Sequence, residues 1–259
     1  MFYLSSCSIV KNEDNYIDDF VKIHKALGVE FFLFFDRSDN PLSERFKGRP
    51  DIHVIHYPEP NRHAHAWRDG AQWFAGKSKW VQFIDIDQVT VPVKTNDIKS
   101  MLQDYEQFSS LGLNWHSFGA NNRENEPPPG VSTYEAYTKR AKADTPINNH
   151  IQSIIHIEKN PIQSRIWDDP HHPPMNPGHF QINERKQPFN GPWNIPPSQD
   201  IGFIAHYYTR SREYWIRKCA KLRADTGTVG GLPAEFDHHQ SYMNAVDDFT
   251  VKNIWDKIK

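Results

Sequence analysis

The sequence is short of cysteine, of net charge and of long apolar runs, and each shortage removes a class of protein. Two cysteines, Cys7 and Cys219, in 259 residues give no disulfide framework, so a reducing, cytoplasmic setting is expected. A net charge of -2 leaves no basic footprint for nucleic acid or an anionic membrane. No apolar run approaches the roughly 20 residues of a membrane span. The apolar start from Met1 to Val10 lacks a basic n-region and a cleavage-like site, so it reads as a first strand of a soluble protein. Gly-x-Gly-x-x-Gly and the Walker A loop are missing too, so neither glycine-rich turn is available to hold a phosphate on backbone amides.

What the chain does have is aromatic weight, 8 Trp, 10 Tyr and 16 Phe, together with 19 Pro. The prolines concentrate in residues 127–146 and 161–197. Such stretches read as long ordered loops over a scaffold, the usual home of substrate-binding residues. The length suits one large α/β domain or two small ones, with a substantial core.

The most informative stretch runs from Trp80 to Pro92. From Trp80 to Ile86 large apolar side chains fall on both parities, which predicts a strand buried on both faces of a mostly parallel sheet. It ends on Asp85 and Asp87, and strand alternation would point both carboxylates the same way, toward one hard cation. With 20 Asp in the chain, about one or two Asp-x-Asp matches arise by chance. The buried strand before the acids and Pro92 after them supply the weight; an ordinary strand end with solvated acids is the alternative.

The rest of the first half alternates in period. Phe2 to Val10 and Phe31 to Phe35 read as strands, and Ile52 to His56 as a third. Between the first two, apolar residues at 16, 17, 20, 21, 24 and 27 predict a helix with Asp14 as N-cap and Gly28 at C′. Arg62 to Ala75 reads as a second helix with Ala66, Trp67, Gly70, Ala71 and Phe74 inward. The order predicts a three-layer α/β half with a parallel sheet. Three strand ends, Lys11/Asn12/Glu13, Asp36/Ser38/Asp39 and Asp85/Asp87, should then line one crevice. A diphosphate there would need a metal on Asp85 and Asp87, leaving Glu13 and Asp36 to accept from a base N–H or a ribose hydroxyl. Cap and turn chemistry is the plainer account of the Asn12/Glu13 and Asp36/Asp39 loops.

These segments carry a resemblance. Ser8-Ile-Val-Lys-Asn-Glu13, Tyr16-Ile17, His24, Leu27-Gly28-Val29, Phe34-Phe-Asp-Arg-Ser-Asp39 and Trp80 to Pro92 resemble a GT-A-fold glycosyltransferase, above all family 92 and its family-2-like bacterial relatives. Asn114-Trp-His-Ser-Phe-Gly119, Gln152-Ser-Ile-Ile-His156 and His206-Tyr-Tyr-Thr-Arg-Ser211, with Trp215 and Lys218, extend it in order to residue 218. Two positions depart: Gln152 replaces the usual Lys, and Gln88 replaces a third acid after Asp87. The resemblance implies a three-layer α/β/α GT-A fold with a mostly parallel central sheet. It implies one domain over residues 1–259, about 1–92 binding the nucleotide sugar and about 93–259 the acceptor. It further implies transfer of a sugar from a nucleotide-diphosphate donor, usually a UDP-sugar, to a glycan or glycolipid hydroxyl, with Mn2+ or Mg2+. Val10, Asn12, Glu13, Asp36, Ser38, Asp85 and Ile86 would hold the donor, and Asp85, Asp87 and His206 the metal. Read from the residues alone, His206 ends an apolar strand from Ile201 to Ala205 and precedes Ser211, an N-cap for a helix carrying Tyr214 and Trp215. A neutral imidazole there suits Mn2+ or Zn2+; a core or capping histidine is the alternative.

The second half should build the acceptor side. Trp115 and Trp193 are candidates for stacking on a sugar ring, with Trp193 in a loop unsuited to a core. Residues 167–174 hold the densest polar cluster, where two His beside two Asp could bind a metal or supply a general base; Asp168, Asp169 and His172 are the base candidates, with Glu124 and Glu126 as rivals. His238 and His239 read as a helix surface pair. With such a base the reaction would invert the anomeric centre. The competing classes are a metal-dependent hydrolase or phosphotransferase on the same acid strand, and a carbohydrate-binding module that needs no acid pair. The acceptor could lie on a membrane surface; the sugar, the linkage and the oligomeric state are not legible.

Overall fold

Phe2–Val10 (β1) is the central strand, and its neighbours explain why it is buried on both sides. The computed structural model describes residues 1–58, 63–160, 169, 171–220 and 231–259. After β1 come Ile17–Ala26 (α1), Phe31–Asp36 (β2), Ile52–His56 (β3), His63–Phe74 (α2), Ser78–Phe83 (β4) and Gln88–Pro92 (β5). Ile98–Gln103 (α3), Ser110–Ser117 (β6), Thr133–Ala136 (α4), Lys139–Arg140 (β7), Ile151–His156 (β8), Gln181–Ile182 (β9) and Pro188–Phe189 (β10) follow. Gly202–His206 (β11), Arg212–Cys219 (α5), Glu235–Met243 (α6), Val246–Asp247 (β12) and Thr250–Trp255 (α7) complete the described elements.

Strands β3, β2, β1 and β4 form a parallel block in that spatial order. Beyond β4 the sheet becomes mixed: β8 is antiparallel to both β4 and β6, and β6 runs parallel to β9 and β11. Strand β11 lies between β6 and β5, antiparallel to β5. One ten-stranded sheet therefore passes through both halves of the sequence.

Alternation divides the core in two. Leu4, Val10, Phe32, Phe34 and Trp80 pack with Phe20 and Ile23 of α1. Cys7, Leu33, Phe35, Val81 and Phe83 pack with Ala66, Trp67, Ala71 and Phe74 of α2. The result is the expected three-layer mixed α/β architecture of GT-A type, each large side chain contributing roughly 1.5–3 kcal/mol of burial. Gly70 marks the closest approach of α2 to the sheet: a Cβ there would come within 2.5 Å of Cys7 Sγ. The inward set predicted for α2, Ala66, Trp67, Gly70, Ala71 and Phe74, is the buried set.

Two local expectations are corrected. Helix α1 begins at Ile17 with Tyr16 at N-cap and no side-chain cap bond. The Glu13 carbonyl accepts from Tyr16 N (2.9 Å) and Ile17 N (3.1 Å), while Asp14 lies 3.7 Å from Arg45 instead. Gly28 does take the left-handed C′ position, at φ 100°. The strand expected to run from Trp80 to Ile86 ends at Phe83. Ile84–Asp87 is a turn into β5, closed by Gln88 N donating to the Asp85 carbonyl at 3.1 Å. Strand alternation therefore does not place the two acids. Ile84 and Ile86 are buried all the same, which is why the apolar run hid the turn.

Candidate functional site

Turn chemistry ties the first two strand ends together. Asn12 has a left-handed backbone, φ 56°, which Asn tolerates better than most residues. Its amide and Asp39 bind reciprocally: Asn12 Nδ2 donates to Asp39 Oδ2 at 2.8 Å, and Asp39 N donates to Asn12 Oδ1 at 2.9 Å. Asn12 N also donates to Ser38 Oγ at 2.9 Å. The buried Asp36 carboxylate accepts from Ser38 N at 2.9 Å and Leu42 N at 2.7 Å. Asn12, Asp36 and Ser38 thus share one crevice edge and perform the turn chemistry that was the plainer account. Val10 is a core side chain, and Ile86 is buried beside the acids.

The acid turn meets the end of β11. Register pairs His206 with Gln88, and Tyr207 N donates to the Asp87 carbonyl at 2.8 Å. His206 Nε2 then lies 3.5 Å from Asp87 Oδ1, and Lys218 Nζ lies 3.0 Å from Asp87 Oδ2. Lys218 is brought there by α5, whose N-cap Ser211 accepts from Tyr214 N at 3.1 Å. Ser211, Tyr214 and Lys218 follow at helical spacing on one face. Between the two strand ends sits Arg210, buried and left-handed at φ 47°. Its guanidinium lies 3.7 Å from the Tyr16 ring centroid, 4.6 Å from that of Tyr214 and 3.5 Å from Glu13 Oε2.

The electrostatics follow from this placement. Burial works against ionising Asp87, yet Lys218, His206 and Arg210 hold its carboxyl well below the usual carboxylate range. Burial lowers the His206 pKa against the pull of Asp87. Burial likewise disfavours the Lys218 ammonium, but Asp87 raises its pKa above the ordinary value. The acid turn thus sets a carboxylate between an imidazole and an ammonium. Among the described residues no three His, Cys, Asp or Glu side chains form a metal-holding group. A carboxylate and an imidazole nevertheless suit Mn2+, because such ions commonly bind one or two protein groups and complete their shell with substrate phosphates and water. Asp85 stands at the opening of the same turn, its backbone N donating to Gln88 Oε1 at 3.3 Å. Gln88, the departure from a third acid, is therefore a turn-closing residue.

A chain of rings leads away from His206. Trp115 meets His206 edge-on, with centroids 4.3 Å apart, and stacks on His150 at 4.8 Å and 15°. His150 meets Trp193 at 5.8 Å, and Trp193 is 53% exposed. Trp115 is buried, so Trp193 is the exposed ring of this series. The His-rich segment reaches this wall through His171, 5.3 Å from Trp115, whose Nδ1 lies 2.9 Å from Gln152 Oε1. Asp169 caps that turn, accepting from His171 N at 2.7 Å, and His172 N meets the Asp169 carbonyl at 3.4 Å. Asp168 lies outside the described residues. Glu124 pairs with Arg212, and Glu126 accepts from Tyr16 and Arg217. His238 is exposed, while His239 packs against Tyr208 and Trp215.

Sequence reasoning gave no role to Arg210, Lys218 or His150. The helical spacing from Ser211 carried the signal for Lys218; the others depend on pairings between distant strands. Residues 2–160 match the sequence profile described as glycosyltransferase family 92. A glycosyltransferase family 92 protein from Arabidopsis thaliana is 24% identical over 227 residues, covering 79% of this chain and 35% of its own length. The chain thus spans about a third of that relative. Among solved structures, a 4-diphosphocytidyl-2C-methyl-D-erythritol synthase from Anaerococcus prevotii overlays 65% of this chain and 79% of its own, with a TM-score of 0.33 and 12% identity. The profile match takes in more than half of the residues, and on that ground the chain belongs to glycosyltransferase family 92.

Proposed function

We propose that the protein is a metal-dependent, inverting glycosyltransferase that moves a sugar from a UDP-linked donor to a glycan or glycolipid hydroxyl. The observation that carries this reading is Asp87 with His206 Nε2 at 3.5 Å and Lys218 Nζ at 3.0 Å, where three strand ends converge in a family 92 chain. Asp87 and His206 would hold Mn2+ or Mg2+, with Asp85, the third ligand expected from the sequence, at the opening of the same turn. Such an ion offsets charge on the leaving diphosphate. Asn12, Glu13, Asp36 and Ser38 form the nucleoside edge, where carboxylate and hydroxyl oxygens retain acceptor capacity beyond their turn bonds. Trp193 offers a ring face to the acceptor. A carboxylate or imidazole of residues 168–172, with Asp168, Asp169 and His172 as candidates, takes the acceptor proton as the hydroxyl attacks. Two buried free thiols suit a reducing compartment, so we place the reaction on the cytosolic side. Among the described residues no helix is long and apolar enough to cross a membrane; an acceptor at a membrane surface is compatible with this reading.

The test is calorimetric titration of UDP, GDP, CDP and ADP, each with Mn2+ and with EDTA. The expected result is Mn2+-dependent binding of UDP that is lost in Asp87→Asn. Absence of binding by every diphosphate overturns the reading, and sugar release without an acceptor would favour the hydrolase class.

A further inference from the structure

Resting on that reading, we infer that Lys218 is the donor-binding residue that meets the leaving diphosphate, and that Asp87 holds it in readiness. The chain has no glycine-rich phosphate loop, so diphosphate charge falls to side-chain cations and any bound metal. Among the described residues two protein cations stand near Asp87, and they differ in freedom. Arg210 is 1% exposed, clamped between the Tyr16 and Tyr214 rings and paired with Glu13. It has no room to follow a ligand. Lys218 has a side chain 28% exposed, so it is less enclosed than Arg210, although its Nζ also lies 4.8 Å from the Tyr208 ring centroid.

An ammonium has three donors. Lys218 gives one to Asp87 Oδ2 and one to the Tyr208 carbonyl, both at 3.0 Å. Among the described residues no third hydrogen-bond acceptor engages it, which leaves one donor for a phosphate oxygen. The Tyr208 carbonyl holds the head group when Asp87 turns elsewhere, and the flexible four-carbon stem permits the shift. Lys218 also acts on the cation site. A divalent ion approaching Asp87 meets an ammonium already on one of its two oxygens. Diphosphate binding draws that ammonium away, and a divalent ion on Asp87 releases it. Cation and diphosphate therefore each remove the other's competitor, and their binding is coupled reciprocally.

The experiment measures UDP, uridine and Mn2+ binding by calorimetry in wild type, Lys218→Met and Lys218→Arg, with each ligand alone and with UDP and Mn2+ together. Lys218→Met should weaken UDP binding about 10- to 100-fold, as expected for a lost charge-assisted bond. Uridine affinity should stay within about twofold, because the nucleoside edge is elsewhere. Mn2+ alone should bind about 10-fold tighter once the neighbouring positive charge is gone. Lys218→Arg should recover most of the UDP affinity, which separates lost charge from lost folding. An unchanged ratio of UDP to uridine affinity in Lys218→Met overturns the inference while leaving the donor reading intact. No diphosphate binding by wild type overturns both.

Discussion

Arg210 shows how much can be asked of one residue. It is buried, charged and left-handed, a backbone region that costs a non-glycine residue about 1 kcal/mol or more. Two tyrosine faces and Glu13 offset that cost. Arg210→Met should lower stability by roughly 2–4 kcal/mol, through lost ring contacts and a stranded carboxylate, and urea denaturation measures it. Arg210→Lys should recover only part of the loss, because an ammonium lacks the planar face that stacks on both rings. Asp36 gives the opposite lesson at this scale. Its position at a strand end was readable, but nothing local said that both oxygens would serve turn amides.

Helices and strands were legible where period and punctuation agreed. The inward set of α2, the Ser211 cap of α5 and Gly28 after α1 all follow from spacing and cap chemistry. The end of β4 was not legible, since Ile84 and Ile86 are as buried in a turn as they would be in a strand. Gln88 closes that turn from inside, and Gln88→Ala should loosen Asp85. We expect a stability loss of about 1–2 kcal/mol with a larger fractional loss of Mn2+-dependent UDP affinity, read by paired urea and calorimetric titrations. Helix α1 carries a pH dependence of its own. Burial pushes the His24 imidazole down to about 4, against the pull of its Nδ1 contact with the Phe20 carbonyl at 2.9 Å. An unfolded histidine titrates near 6.5, so the contribution of neutral His24 is complete above that value and is lost as pH falls toward 4. The loss should reach roughly 2–3 kcal/mol. Comparing the pH slope of unfolding in wild type and His24→Leu checks it; equal slopes would refute it.

At the scale of the whole molecule, the decisive feature is β11. It fills the gap between β5 and β6 and delivers His206 to the acids, although 114 residues separate Pro92 from His206. No pattern in the first half announces this partner, which is why the crevice was only half readable. A chain ending at residue 160 would keep the family-matching segment yet lose β9 and β11. It should lack a cooperative unfolding transition and bind ANS, as a collapsed chain with unpaired edges does; a sharp calorimetric melt would contradict this. The same insertion sets a timetable for biosynthesis. At roughly 5–20 residues per second, a ribosome takes about 6–23 s to get from the end of β5 to the end of β11. Through that interval β5 lacks its strand partner, and its Val89 and Val91 must be kept from other chains.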